Sequence, residues 1–258
     1  MKTLLEGRGA TLWLIAHLVV WGKNGTRNSF IFGGSMRSMT RFLIVIGFLF
    51  TTSFSQSHAF TGLEVDAGWS LPTQIGARLK GFFNDTFYIS GGLGYSPGFT
   101  SGATEFMTFG PSQEGAYILS QALSDAFVID LRAGYQQQVD SGFYIEGSYA
   151  FFSGGKGDIT RQDLFDYDTT YNSVIYDYEI ESDIHTLGGY AGYVFKALDL
   201  VLKAEVGLVK PISSKNSAKN SLGVFDVVYP NLIEDDLESL WSEAFIFTAG
   251  MYVIIPIN

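Results

Sequence analysis

The sequence predicts an all-β fold: an eight-stranded antiparallel up-and-down transmembrane β-barrel with long external loops. Three observations carry this reading. Beyond residue 60, eight separate runs alternate with a period of two, most of them about 9–11 residues long, the length a tilted strand needs to cross a bilayer. The connections between runs are short or long by parity. One face of every run is free of charge, while the other collects Asp, Glu, Lys and Arg.

The runs follow a leader. From Met39, "MTRFLIVIGFLFTTSFSQSHAF" has a basic start at Arg41, an apolar stretch Phe42–Phe50 and a polar end, with Ser57 and Ala59 at the positions a signal peptidase tests. Residues 36–59 read as a signal peptide, and 60–258 as the barrel. Residues 1–35 read as an upstream extension from a start codon placed too early. Their apolar run Leu12–Trp21 is too short to span a membrane.

The strands are expected at Leu63–Leu71, Thr73–Phe83, Phe87–Tyr95, Phe127–Gln137, Phe143–Phe151, His185–Phe195, Leu198–Leu208 and Phe245–Ile257. Connections two, four and six are short: Asn84-Asp85-Thr86, Val139–Gly142 and Lys196-Ala197. The long ones, 96–126, 152–184 and 209–244, all carry odd numbers, and only the first odd connection, at Pro72, is tight. In an up-and-down barrel, odd and even connections lie on opposite rims. Membrane barrels have short turns on one side and long loops on the other. In the fifth connection, "NSVIYDYEIES" alternates and extends the strands beyond the membrane as a hairpin. In the seventh, "LIEDDLESLW" reads as a short amphipathic helix with Leu232, Leu237, Leu240 and Trp241 as its apolar members.

In the run Leu200–Val209, Leu200, Leu202, Ala204, Val206 and Leu208 share one face, and Lys203 and Glu205 sit on the other. A soluble protein would bury the leucines. Across all eight runs, however, the apolar face is uninterrupted, and the opposite face gathers Glu64, Asp66, Arg78, Lys80, Asp130, Arg132, Glu146, Lys203 and Glu205. A basic residue at mid-bilayer on the lipid side costs about 2–4 kcal/mol, so the charged face is expected inside, as a nearly neutral lumen filled by side chains. Aromatics mark where strands leave the hydrocarbon. Phe83, Phe87, Tyr135, Phe143 and Phe195 lie beside the short turns, and Trp69, Tyr95, Phe127, Phe151 and Phe245 beside the long loops, as two girdles.

The last run, "TAGMYVII", resembles the C-terminal strand signature by which outer-membrane barrels are recognised for assembly, although the chain ends Ile255-Pro256-Ile257-Asn258 without the usual terminal aromatic. With the strand count and loop parity, the region 60–258 resembles the small eight-stranded outer-membrane barrels: OmpA-type transmembrane domains and opacity-type and Ail-type surface proteins. That resemblance implies location in a Gram-negative outer membrane, with lipid, lipopolysaccharide and the barrel-assembly machinery as partners.

Composition narrows the chemistry. The chain has no Cys, hence no disulfide, thiolate metal site or thiol nucleophile. Its formal net charge is -10, and no basic stripe appears, which argues against nucleic acid. Beyond residue 59 one histidine remains, His185, with Asp183 nearby but no nucleophile motif. No enzyme activity, cofactor or metal is expected. The acids of the fifth connection (Asp158, Asp163, Asp166, Asp168, Asp177, Glu179, Glu181, Asp183) read as a solvated loop, since their spacing is not that of an EF-hand. The expected function is a structural or adhesion-like surface protein acting through acidic, Tyr-rich external loops on an extracellular protein or surface ligand. The alternative is a narrow passive pore or small-molecule transporter.

Overall fold

A computed structural model of the chain describes residues 61–138, 141–223 and 228–257. The upstream extension and signal peptide expected at 1–35 and 36–59, and Val139 and Asp140 of the fourth connection, lie outside them.

Among the described residues there are nine strands: β1 (Gly62–Leu71), β2 (Gln74–Phe82), β3 (Phe87–Ser96), β4 (Thr108–Phe109), β5 (Ala126–Gln138), β6 (Ser141–Ile159), β7 (Tyr178–Ala197), β8 (Leu200–Asn220) and β9 (Phe245–Ile257). The eight long ones pair in sequence order, and β9 returns to β1, which closes an antiparallel barrel. The two-residue β4 lies against the upper end of β9. A row of paired residues runs from Pro256 through Glu64, Lys80, Ser90, Arg132, Ser148, Gly188 and Val209, and meets β9 again at Ile246. For eight strands, that ten-residue offset from 246 to 256 corresponds to a tilt of about 40°.

The turns have local causes. Asn84 Oδ1 accepts hydrogen bonds from the backbone N–H of Thr86 (3.1 Å) and Phe87 (2.8 Å), an Asx turn joining β2 to β3. Leu198 and Asp199, both at positive φ (50° and 64°), form the two-residue turn between β7 and β8. That turn was expected two residues earlier.

The wall behaves as the alternation predicts. Leu93, Ile145, Leu187, Val206, Leu208 and Met251 are exposed on the outside, while Lys203 and Glu205 are buried. Eight residues separate Phe127 from Tyr135 and Phe143 from Phe151. At a rise of about 3.3 Å per residue and this tilt, each interval spans about 20 Å of height, close to the apolar band of a membrane barrel.

Three strands are far longer than expected: β6, β7 and β8 run 19, 20 and 21 residues and stand above the rim. Along them both faces exchange polarity. The outward row of β7 reads Glu179, Glu181, Asp183, then His185, then Leu187 and Ala191. The inward row of β7 carries Tyr178, Ile180 and Ile184 above the rim and reaches Tyr190 over the charged lumen. The polar stretch 210–220, expected as loop, is strand because it pairs with β7, placing Lys215 opposite Asp183 and Lys219 opposite Glu179.

Four helices fill the remaining long connections: α1 (Ser101–Met107), α2 (Gln113–Ala122), α3 (Arg161–Tyr167) and α4 (Val228–Glu243). Ser112 caps α2 by accepting from Gly115 N, and Thr160 and Asp163 form a capping box on α3. Ile118 and Leu119 of α2, Leu164 of α3, and Ile233, Leu237, Leu240 and Trp241 of α4 join Phe152, Ile159, Ile180 and Ile184 in one apolar core above the barrel. The amphipathic helix expected from sequence is present, and so is the protruding hairpin, although its returning strand begins only at Tyr178 and residues 172–177 are not strand. The helices within 96–126 were not expected.

If lipid covers the outer face, Val206→Arg on β8 destabilises the folded barrel by about 2–4 kcal/mol. The shift of the urea midpoint in phospholipid vesicles measures it, and an unchanged midpoint would mean that water covers this face.

Candidate functional site

The barrel interior and the cap above it hold most of the polar residues singled out from sequence. All nine expected lumen charges point inward, and none is more than 5% exposed. They form one cluster. Arg132 pairs with Asp130 (3.0 Å), Glu205 (3.2 Å) and, very closely, Glu146. Arg78 pairs with Asp130 (3.0 Å) and Glu205 (3.6 Å). Lys203 reaches Glu146 (3.3 Å), Asp66 (3.6 Å) and Glu205 (3.6 Å). Lys80 pairs with Glu64 (3.2 Å) and donates to Gln136 Oε1 at 2.7 Å. Five acids against four bases leave the cluster one charge from neutral. That balance suits ions which no bulk solvent reaches.

The cations share a second device. Each lies over the ring of an inward tyrosine: Lys80 over Tyr88 (4.4 Å), Lys203 over Tyr144 (4.3 Å), Arg132 over Tyr190 (4.0 Å) and Arg78 over Tyr252 (4.2 Å). Each tyrosine has a glycine directly opposite on the next strand: Gly134, Gly192, Gly207 and Gly68 in the same order. A Cβ on Gly134 would lie 2.7 Å from the Tyr88 ring, and one on Gly68 would lie 2.9 Å from that of Tyr252. The glycines thus make room for rings that lie flat across the wall, and the rings carry the cations to the axis. Tyr88 completes its unit by donating to Glu146 (2.6 Å), and Tyr144 by donating to Glu205 (3.3 Å). The two-residue alternation places Tyr88, Tyr144 and Tyr252 on the charged face of their runs, but it does not single out Tyr190 or the glycine partners. The signal existed as alternating inward Gly and Tyr, but it became readable only with the strand register.

The interior has apolar ends. Below the charges, Phe82, Val194 and Ile254 are buried. Above them, Val128, Phe152 and Ile246 join the cap core. The C-terminal end of α2 lies on two glycines of β6 above the lumen. A Cβ on Gly157 would come 2.5 Å from Gln121 O, one on Gly155 would collide with Ala122 O, and Lys156 N donates to Ser124 O at 2.7 Å.

The expected girdle residues all face outward. Phe83, Phe87, Tyr135 and Phe143 are exposed at the short-turn rim, with Phe195 half-buried. Trp69, Tyr95, Phe127 and Phe245 are exposed at the other rim, with Phe151 half-buried beneath a stacked His185 (4.6 Å). His185 Nδ1 shares a hydrogen bond with the Tyr149 hydroxyl at 2.6 Å. The histidine is thus part of an outward aromatic cluster.

The tyrosines of the fifth connection require a correction. From sequence they read as part of an adhesive loop surface, with packing inside the hairpin as the alternative. Instead Tyr171 and Tyr178 are buried in the cap core, and Tyr167 and Tyr176 pack against it, because the polarity exchange above the rim turns apolar side chains inward. Tyr171 donates to Asp236 (2.6 Å), and burial together with that carboxylate holds its hydroxyl well above the usual tyrosine range. The acids of this connection perform local work. Asp163 caps α3, Asp177 accepts from Arg161 N (2.9 Å), and Asp183 accepts from Ser153 (3.0 Å) and Gly154 N (2.9 Å). Among the described residues, no group of three or more His, Asp or Glu is placed to hold a metal ion.

Two substitutions test the construction. Arg132→Met leaves three carboxylates short of a partner in a closed lumen and destabilises by about 3–5 kcal/mol, read from the urea midpoint, whereas Lys156→Met, in an exposed pair with Glu179, changes it by less than about 1 kcal/mol. Gly157→Val lifts α2 from β6, so limited proteolysis cuts the cap faster while the barrel keeps its resistance to unfolding in detergent.

No family model matches the chain, and no curated protein is significantly similar to it. Among solved structures, the chain is similar to a major outer membrane protein from Thermus thermophilus, at 15% identity and a TM-score of 0.36, over 75% of this chain and 98% of that one. The membrane-barrel assignment rests on this chain's own closed sheet, apolar exterior and charged interior.

Proposed function

We propose that the protein is an integral outer-membrane barrel serving as a closed anchor, and that its function is carried by the folded cap it holds outside the cell. The observation behind this reading is the closure of the lumen. Nine charged side chains and four tyrosines occupy the axis with almost no accessible surface, and apolar layers close both ends. A conducting pore needs a continuous water path, so this filling favours an anchor over the pore or transporter.

The cap supplies an acidic interaction surface. Its four helices carry nine Asp and Glu against the single base Arg161, five of the acids on α4. With the tyrosines turned inward, carboxylates are what a partner meets. The matching partner is an extracellular protein or surface ligand with a positively charged face, held by interactions that weaken as salt rises. The structural or adhesion-like role therefore narrows to charge recognition by a folded cap.

Purified protein in planar bilayers is expected to give no steady current, and a steady open-channel current overturns the anchor reading. Orientation is read on intact cells with single cysteines, which the cysteine-free sequence allows. Lys219→Cys on the cap reacts with an impermeant maleimide, and Thr86→Cys in the short turn reacts only after the outer membrane is opened.

A further inference from the structure

Two helices of the cap follow the rule for water-facing elements: α2 and α4 turn Ile, Leu and Trp inward. The segment around α1, residues 98–109, does the reverse. Its inward stripe is Thr100, Thr104 and Thr108, which are 5%, 1% and 8% exposed. Their hydroxyls are satisfied locally. Thr100 Oγ1 donates to Pro97 O (2.7 Å), Thr104 Oγ1 to Thr100 O (3.2 Å) and Thr108 Oγ1 to Thr104 O (2.6 Å). The outward stripe is Phe99, Phe106 and Phe109, which are 79%, 86% and 57% exposed. Burying threonine and exposing phenylalanine is the polarity of the barrel wall, not of the cap.

Position gives the same answer. Phe109 of β4 pairs in register with Phe245, the outward aromatic at the top of β9, so the segment continues the lipid-facing surface. It also follows β3 and lies against the edge of β9 above β1, on the side where β1, β2 and β3 end at Leu71, Gln74 and Ser96. No tall strand of β6–β8 stands there between the segment and the surrounding membrane.

The geometry points to residues 98–109 as a membrane-interface anchor, lying on the lipid surface with the three phenylalanines at the boundary of headgroups and acyl chains. The inference rests on the membrane reading of the barrel. It adds that the cap is tied down to lipid through α1, which packs against α2 and reaches it through the Gln113–Glu105 hydrogen bond (3.4 Å).

The test uses the full chain in phospholipid vesicles with single cysteines carrying an environment-sensitive fluorophore. Phe106→Cys and Phe109→Cys report the segment, Leu202→Cys the mid-barrel wall and Lys219→Cys the cap surface. The probes at 106 and 109 are expected to be quenched by lipids carrying a nitroxide near the headgroup, and severalfold less than the probe at 219 by aqueous iodide. Lipid quenching at 202 with iodide access at 106 equal to that at 219 overturns the anchor and leaves the barrel in the membrane. Protection at 106 from both quenchers, lost on diluting the protein in lipid, assigns the patch to a second copy and also overturns it. Absence of lipid quenching at 202 overturns the membrane reading and the anchor together.

Discussion

A β-strand has two faces, and a barrel in lipid can offer only one of them to hydrocarbon. Backbone polar groups are satisfied by closing the sheet, but side-chain charge has nowhere to go except inward. This constraint determines most of what the structure contains. Excluding charge from the outside places five acids and four bases in a tube too narrow to hydrate them, so they must neutralise one another. Ion pairs buried without water are sound only when their geometry is tightly held. The Tyr–Gly pairs supply that hold. A glycine on one strand admits the ring of its neighbour, the ring spans the wall, and the cation rests on the ring's face. The wall therefore fixes the position of each charge before the charges meet.

The same constraint explains the inversion at the rim. Once a strand leaves lipid, its outward face meets water and its inward face meets the cap. β7 passes from Glu179 and Asp183 outside to Leu187 and Ala191 outside as one continuous strand, while both neighbours shift register at the rim, β8 opposite His185 and Thr186 and β6 between Phe152 and Gly155. His185 and Phe151 stand where the environment changes. One strand thus serves as a membrane wall along half its length and as half of a soluble domain along the other. Only the phase of the alternation distinguishes the two.

That phase decides how much was legible beforehand. Alternation identified eight strands and their faces, and with the parity of the connections and the charge-free face it gave the inward direction of the nine charges, because a two-residue period in lipid admits one phase. The upper parts of the strands were harder. The 210–220 segment of β8 has no apolar alternation, and its strand character comes from partners such as Glu179 and Asp183, which sequence does not place beside Lys219 and Lys215. Tyr171 and Tyr178 looked like surface residues because a polar connection suggests solvent, whereas α3 and α4 give them a core. α1 is only seven residues long, too short to carry a periodic signal, and its threonines and phenylalanines are reversed relative to a soluble helix.

Closure at three levels has a consequence for where function can lie. The charged middle, the buried Phe82, Val194 and Ile254 below it, and α2 with the cap core above it fill the axis at three successive heights. The proposed anchor role rests on this filling: a water path along the axis would break ion pairs in the lumen and undock the helix end that lies on Gly155 and Gly157. These costs fall on different sets of interactions, although β7 and β9 contribute side chains to all three levels. On the proposed anchor role, the barrel acts as support for the cap. β6, β7 and β8 run from lumen to cap as continuous strands whose pairing resumes after a register shift at the rim, so the sheet that positions Arg132 and Lys203 also carries the strands beneath the acidic helices. A surface that recognises charge at long range gains from such fixed presentation, because a partner meets one arrangement of carboxylates rather than an ensemble of loop conformers.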